Sequence, residues 1–142
     1  MSKKRVNSCA KGKRGEREVA ALLRANGFPF ARRGQQFKGT ADSPDVVCDE
    51  LPNVYMEVKT SPALRHGTKA LREARKGAAR TAGVSLAPVL FRKVPGGAWV
   101  MDHLDAVYGW LACDGPMMFR ILQDLNERYA MPVPGSTTVG KE

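Results

Sequence analysis

The stretch from residue 43 to residue 60, SPDVVCDELPNVYMEVKT, predicts two short strands joined by the turn ELPN. From Val54 onward apolar and polar residues alternate, and alternate residues of a strand share a face. One face of this strand is therefore apolar, whereas the other carries Glu57 and Lys59. A further carboxylate, Asp45, stands at the start of the preceding strand. Strand formation alone does not explain two carboxylates and a lysine on neighbouring strands.

These three side chains suit metal-assisted chemistry on a phosphodiester. Residues two apart on a strand lie about 6.5 Å apart on one face, and the neighbouring strand can bring Asp45 to the same place. Two converging carboxylates would bind Mg²⁺, with Mn²⁺ as a substitute, because hard cations prefer oxygen ligands. Lys59 could orient or deprotonate a water molecule or neutralise charge on a phosphate.

A fourth candidate, Glu16, lies on the first predicted helix, which begins near Lys11. It heads the apolar face of that helix instead of opposing it. Gly12 and Gly15 lie close by on the same face and would permit close approach of another backbone. Glu16 could therefore complete the site as a ligand or as a hydrogen-bond partner of a metal-bound water. The apolar face consists of Val19, Ala20 and Leu23.

The remaining pattern predicts an α/β domain with one central mixed β-sheet flanked by helices, in the order α-β-β-β-α-β-β-α-α. Pro88, inside the fourth strand, indicates an edge strand or a bulge. Gly27 is expected to stop the first helix. The strands are expected at 28–34, 44–49, 54–60, 84–93 and 96–101, and the later helices at 68–82, 102–112 and 116–130.

The charge balance favours a polyanionic partner. Lys and Arg number 23 against 14 Asp and Glu, a formal net charge of +9, which favours nucleic acid first and an anionic membrane surface second. A basic stripe runs along the predicted helix at 68–82. The candidate phosphate contacts are Arg32, Arg33, Lys38, Lys69, Arg72, Lys76 and Arg80, for which a plain solvated surface is the alternative.

Other features bear on location and organisation. No apolar run approaches the ~20 residues that span a bilayer, and no apolar segment follows the basic start as in a signal peptide. Three cysteines without a CxxC pair argue against a disulfide framework or zinc site, so an intracellular, reducing, cytoplasmic setting is expected, in a bacterium or a phage-infected cell. We expect a flexible basic arm at 1–10, one domain at 11–130 and a flexible tail at 131–142.

Two residue types are assigned simpler roles. His66 and His103 lack metal-ligand spacing, which favours loop or surface positions. Trp99 and Trp110 are expected in the core rather than as base-stacking platforms.

The combination resembles the PD-(D/E)XK nuclease superfamily. Its signature stands here as Pro44-Asp45, eleven intervening residues, then Glu57-Val58-Lys59. The segment GKRGEREVAALLRANGF, with Glu16, is similar to the first helix of archaeal-type and phage Holliday junction resolvases. The paired arginines after Phe28, and the strands ending APVLFRK and GAWVM, follow the same order. The resemblance covers roughly residues 11–112 and leaves 113–142 unassigned.

The resemblance implies a restriction-endonuclease-like core and a Mg²⁺-dependent, structure-selective DNA endonuclease that cuts four-way junctions, a partner that a symmetric homodimer would suit. It implies no membrane partner. Asp45, Glu57 and Glu16 would be metal ligands, and with Lys59 they would form the catalytic set. Asp42 and Glu50 are neighbouring acids that could be confused with the ligands.

Simpler interpretations of the same residues stay open. Glu57 and Lys59 could form an exposed charge pair, and Asp45 could start a turn. Glu16 could sit at the solvated edge of its helix, where the N-terminal helix dipole favours a negative charge. Two other functions also stay open. One is a restriction- or repair-type nuclease of the same superfamily acting on duplex or branched DNA, and the other is a basic nucleic-acid-binding module without catalysis.

Overall fold

The computed structural model describes residues 8–34, 44–60, 72, 76, 86–105 and 109–130. The predicted helix at 68–82 is represented by Arg72 and Lys76, which have helical backbone and exposed side chains. Residues 131–142, Lys38, Asp42, His66, Lys69 and Arg80 lie outside the described residues, as does most of the arm at 1–10.

The described part of the chain is an α/β structure with a six-stranded mixed sheet in the order β1-β2-β3-β4-β5-β6. Neighbouring strands are antiparallel except β3 and β4, which are parallel. The predicted α/β class with one central mixed sheet is therefore confirmed. The strands are β1 Arg32–Arg33, β2 Val46–Val47, β3 Val54–Lys59, β4 Ala87–Lys93, β5 Trp99–Asp105 and β6 Gly109–Asp114. The helices are α1 Ser8–Arg24 and α2 Gly115–Ala130.

Both helices pack on one face of the sheet around a single large core. From α1, Val19, Ala20 and Leu23 are buried, as the periodicity predicts. The predicted face of α2 is likewise buried or half-buried. The sheet residues of this core alternate along each strand, which is the period expected of a strand with one buried face. They include Val54, Met56 and Val58 from β3, Val89 and Phe91 from β4, and Trp99 and Met101 from β5.

The start of α1 differs from the prediction, whereas its end agrees. The helix begins at Ser8, inside the expected arm, and ends at Arg24. Gly27 then has a φ of 100°, a backbone conformation that glycine adopts without the cost of a Cβ clash. The first predicted strand, 28–34, shrinks to Arg32–Arg33, because Phe28 to Ala31 form a turn closed by the Ala31 amide on the Phe28 carbonyl.

The prediction of a helix at 102–112 is wrong. This segment continues β5 to Asp105 and then returns as β6, with Met101 paired to Cys113 and Asp105 paired to Gly109. The antiparallel ladder pairs the backbone groups that the two strands turn toward each other, and this pairing outweighs the local preference. The prediction for His103 is wrong as well, because His103 lies on β5 opposite Val89 and is buried. Trp99 is buried in the core, as expected.

The prediction that Pro88 marks an edge strand or a bulge is also wrong, since β4 lies inside the sheet. The amide of Ala87 donates to the Asn53 carbonyl at 2.8 Å. The backbone N–H of Ala87 therefore points toward β3, and the backbone nitrogen of Pro88, one residue later, points toward β5. The ladder between β4 and β5 begins only at Val89. Proline's missing N–H therefore falls just before the first residue pair of that ladder.

Two of the cysteines are described by the structure. Cys48 and Cys113 are free thiols, and the Cys48 thiol donates to a carboxylate oxygen of Glu50 at 2.9 Å. Burial, together with this contact, raises the pKa of Cys48 to about 12.

Neither helix in the described part of the chain has the length and apolar content that crossing a membrane requires.

Candidate active site

The candidate site lies where β2 and β3 separate. The two strands pair through Val46 and Met56, and the Asp45 amide donates to the Met56 carbonyl at 2.9 Å. Two residues beyond Met56 on β3, the Val58 amide donates at 2.9 Å to Oδ2 of Asp45 instead of to a backbone carbonyl. At the point where the strands diverge, the Asp45 carboxylate thus accepts the hydrogen bond that a backbone carbonyl would accept in a continued ladder. The Val58 amide thereby fixes the position of this carboxylate.

A close backbone contact on the other side of β2 also holds Asp45. The Gly34 amide donates to the Asp45 carbonyl at 2.9 Å. A Cβ atom at Gly34 would lie 2.1 Å from the Pro44 carbonyl oxygen, a distance that no side chain tolerates. Gly34 therefore permits β1 to approach the Pro44-Asp45 segment, and sequence reasoning had assigned it no role. The only sequence signal was its position directly after the paired arginines.

Helix α1 brings Glu16 to the same end of the sheet. A Cβ atom at Gly15 would lie 2.7 Å from Cγ2 of Thr60 and 3.5 Å from a side-chain carbon of Val58. The predicted close approach at Gly15 is therefore present, although side chains rather than backbone meet it. At Gly12 the described residues show no such approach, because none of their atoms would lie within 4 Å of a Cβ atom placed there.

Glu16 is held by an ion pair in a largely buried place. Nε of Arg33 donates to Oε1 of Glu16 at 3.0 Å, and 16% of the Glu16 side chain is exposed. Burial raises the pKa of Glu16 above its usual range, and the negative charge of Asp45 acts in the same direction, whereas Arg33 and Lys13 oppose it. The two carboxylates thus lie within electrostatic reach of one another.

Glu57 and Lys59 lie on the face of β3 that points away from α1. Val54, Met56 and Val58 belong to the core that α1 covers, so the alternating residues point to the opposite face. Glu57 is half-buried there, and Lys59 is exposed. The sequence correctly placed these two on one face. Glu16 approaches from the other face, and Asp45 lies at the strand divergence between them.

The oxygen donors around Asp45 have the chemistry that Mg²⁺ prefers. Carboxylates from β2 and β3 fit the ion, since these strands carry Asp45 and Glu57 to the same end of the sheet. Among residues 8–34, 44–60, 72, 76, 86–105 and 109–130, however, no group of three or more His, Cys, Asp or Glu is arranged to hold a metal. A three-carboxylate site with Glu16 as ligand therefore stays a prediction.

The predicted phosphate contacts occupy different surroundings. Arg33 is half-buried and binds Glu16, whereas the exposed Arg32 donates to Asp49 at 3.0 Å and to the Phe30 carbonyl at 2.9 Å. Arg72 and Lys76 are exposed. The structure thus assigns Arg33 a contact inside the candidate site.

One set of basic residues escaped the sequence reasoning. The exposed side of α1 around Glu16 carries three cations, of which Lys13 is close enough to influence the pKa of Glu16. The signal was the dense basic run KGKRGER, which the sequence analysis used only for Glu16 and the glycines. These three side chains, Lys13, Arg14 and Arg17, form what we call the α1 basic surface.

Comparisons of this chain with family models, with curated proteins and with solved structures found no match.

Proposed function

We propose that this protein is a Mg²⁺-dependent, structure-selective DNA endonuclease with a PD-(D/E)XK-type site in a restriction-endonuclease-like core, and that its substrate is the four-way junction. The observation that carries the proposal is the placement of Asp45. Its carboxylate is fixed by the Val58 amide at the divergence of β2 and β3. A carboxylate in that position can accept a cation while the adjoining β3 residues Glu57 and Lys59 lie at the same end of the sheet.

Each residue has a distinct role in this proposal. Asp45 and Glu57 would hold Mg²⁺, which when bound supplies Lewis-acid activation and charge neutralisation. Lys59, exposed at the end of β3, orients water or neutralises the phosphate. Glu16, which approaches Asp45 from the other face of the sheet, would accept a hydrogen bond from a water beside Asp45, and its raised pKa favours accepting a proton. Arg33 fixes the Glu16 carboxylate.

The substrate class follows from charge and size. A net charge of +9 and the α1 basic surface beside Glu16 suit a sugar-phosphate backbone. Contacts to phosphates do not distinguish one base sequence from another. The shape of the DNA and the charge of its backbone are therefore the features that a small domain can recognise. A four-way junction has two-fold symmetry, and a homodimer would present two sites in matching positions.

The test is incubation of the protein with a labelled four-way junction and with a duplex of matched sequence, in Mg²⁺ and in EDTA. We expect two symmetric nicks on opposed strands of the junction in Mg²⁺, none in EDTA, and tighter binding to the junction in competitor DNA. Light scattering is expected to report a dimer.

The outcomes separate the three functions. Equal binding and cutting of junction and duplex would leave a general PD-(D/E)XK nuclease and exclude a resolvase. Binding without cleavage in Mg²⁺ or Mn²⁺ would exclude an enzyme and indicate a nucleic-acid-binding module. A monomer that stays monomeric on the junction would refute the symmetric dimer.

A further inference from the structure

A buried ion pair lies on the same sheet face as Glu57 and Lys59. The β3–β4 register pairs Lys59 with Arg92, and directly paired residues share a face. On β5, Asp102 is paired with Leu90 of β4 and so lies on that face too, diagonal to Arg92. The register alone therefore aligns Lys59, Arg92 and Asp102 across three successive strands.

Asp102 holds the Arg92 side chain by both carboxylate oxygens. Nε of Arg92 donates to Oδ2 at 2.5 Å and Nη2 donates to Oδ1 at 3.2 Å. Only 13% of the Arg92 side chain and 12% of the Asp102 side chain are exposed. The other arginine–carboxylate pairs of the described residues have single contacts, and two of them, Arg32–Asp49 and Arg128–Asp124, are largely exposed.

Stability is a weak reason for such a pair. The loss of hydration of two buried charges offsets most of their attraction, and apolar residues of similar size often stabilise a fold as well or better. A two-point contact does, however, fix the plane of the guanidinium. The pair is thus better suited to holding Arg92 in one orientation than to joining β4 to β5.

The Arg92 guanidinium uses one of its edges for Asp102. A guanidinium has five N–H groups, and the edge formed by Nε and Nη2 is turned to Asp102 on β5. The remaining edge points away from Asp102, and β3 lies on the other side of β4 from β5. Lys59 is the residue of β3 paired with Arg92. A fixed fork of donors beside an exposed ammonium is a suitable arrangement for a phosphate oxygen.

We propose that Arg92 binds a phosphate of the DNA beside the one at Glu57 and Lys59, and that Asp102 is the positioning residue that orients it. This inference rests on the proposed function for the identity of the ligand. Arg92 supplies two or more hydrogen bonds to the non-bridging oxygens, and Asp102 does not touch the DNA.

The experiment measures DNA affinity against salt concentration in EDTA, and cleavage in Mg²⁺, for Arg92→Gln, Asp102→Asn and the control Arg128→Gln. One lost phosphate contact lessens the log–log salt slope on duplex DNA by about 0.9. We expect this change for Arg92→Gln. Asp102→Asn should keep the parent slope, since it retains the arginine, but cut junctions at least tenfold more slowly. Arg128→Gln should match the parent in both measurements.

A double variant removes the risk that a lone buried charge unfolds the protein. Arg92→Met with Asp102→Leu replaces the pair by apolar side chains, which buried ion pairs often tolerate. It too should lose about 0.9 in slope while remaining folded. A parent slope in both Arg92→Gln and the double variant would overturn the phosphate contact, and unimpaired cleavage by Asp102→Asn would overturn the positioning role. A parent protein that leaves DNA uncut would refute the proposed function alone, because the slopes are measured without metal.

Discussion

Glu16 and Glu18 lie two residues apart on α1, and each binds a cation of the sheet, yet their surroundings shift their pKa values in opposite directions. Glu16 binds Arg33 at 3.0 Å beside β1 and β2. Glu18 binds Nζ of Lys93 at 2.7 Å and accepts from the indole nitrogen of Trp99 at 3.3 Å, beside β4 and β5. The hydrogen bond from Lys93 lowers the pKa of Glu18, whereas burial raises that of Glu16.

The difference separates a structural carboxylate from a candidate catalytic one. Glu18 is half-exposed and its charge is matched by a lysine and an indole, so ionisation is favourable where it lies. Glu16 is largely buried, and a second carboxylate, Asp45, acts on it. Perturbation of this kind is characteristic of functional sites. Glu18 thus helps to hold α1 beside β4 and β5, whereas Glu16, on the same helix, places an unfavourable charge beside β1 and β2.

The largest expected effect is that of Asp45→Asn. Cleavage should fall to background, because the variant loses the negative charge of a proposed metal ligand. The amide oxygen can still accept from Val58, so the fold should be retained. The pKa of Glu16, followed by NMR, should also fall, since one of the charges that raise it is gone. Asp49→Asn, at an exposed acid that binds Arg32 of β1, is the control. Cleavage at the parent rate would remove Asp45 from the site.

The substitutions Glu16→Gln and Glu18→Gln test directly whether the two carboxylates have different roles. Glu16→Gln should slow junction cleavage strongly with little change in the free energy of unfolding. Glu18→Gln should do the reverse, keeping cleavage and losing about 0.2–1 kcal/mol, the usual contribution of a partly exposed ion pair. Both quantities are measured on each variant, by initial rates and by urea unfolding. Equal effects of the two substitutions on cleavage would mean that Glu16 has no special role.

Gly15→Ala tests the contact that sets the height of α1 above β3. The added methyl would lie 2.7 Å from Cγ2 of Thr60, and overpacking of this kind costs about 1–3 kcal/mol, against a gain of up to about 1 kcal/mol in helix propensity. Gly12→Ala is the matched control, because its methyl meets no atom of the described residues within 4 Å, and it should stabilise the protein by about 0.5–1 kcal/mol. If urea unfolding shows that both variants gain stability, the Thr60 side chain can move away from the added methyl at no cost in unfolding free energy.

The smallest effect concerns pH. The folded pKa of Glu18 is lowered, so its contribution to stability is present above the ordinary value and is lost as pH falls through the folded pKa. The folded pKa of Glu16 is raised, so its contribution is present at low pH and is lost as pH rises through that value. The difference in unfolding free energy between parent and each Gln variant, plotted against pH, should therefore slope in opposite directions. Parallel slopes would contradict the contrast between the two carboxylates.

Local periodicity was sufficient for the elements whose faces are buried continuously. The alternation of Val54, Met56 and Val58 and the helical spacing of Val19 and Leu23 each report one buried face, and both elements form where the pattern predicts them, apart from the earlier start of α1. The same patterns placed Glu57 with Lys59 and placed Glu16 at the head of its helix.

Features that depend on pairing between distant segments could not be predicted in this way. The described residues of 102–112 belong to β5 and β6, and Asp102 pairs with Leu90 of β4 as well as with Ala112 of β6. The pairing with β4 lies outside any local window. The Arg33–Glu16 contact and the acceptance by Asp45 of the Val58 amide likewise depend on how α1, β1 and β3 meet. Pro88 is compatible with an interior strand only because of where the β4–β5 ladder begins.

The contact of Gly34 with Pro44 has a consequence for how this chain could vary. Gly34 and Asp45, on either side of residues 35–43, are tied together by the hydrogen bond from the Gly34 amide to the Asp45 carbonyl at 2.9 Å. Closing a longer loop between fixed ends costs only about 0.6 kcal/mol for each doubling of its length. Insertions between Gly34 and Pro44 can therefore accumulate without displacing Asp45, provided that residue 34 stays glycine. This segment is accordingly where related chains could diverge in length and where a reporter peptide could be inserted.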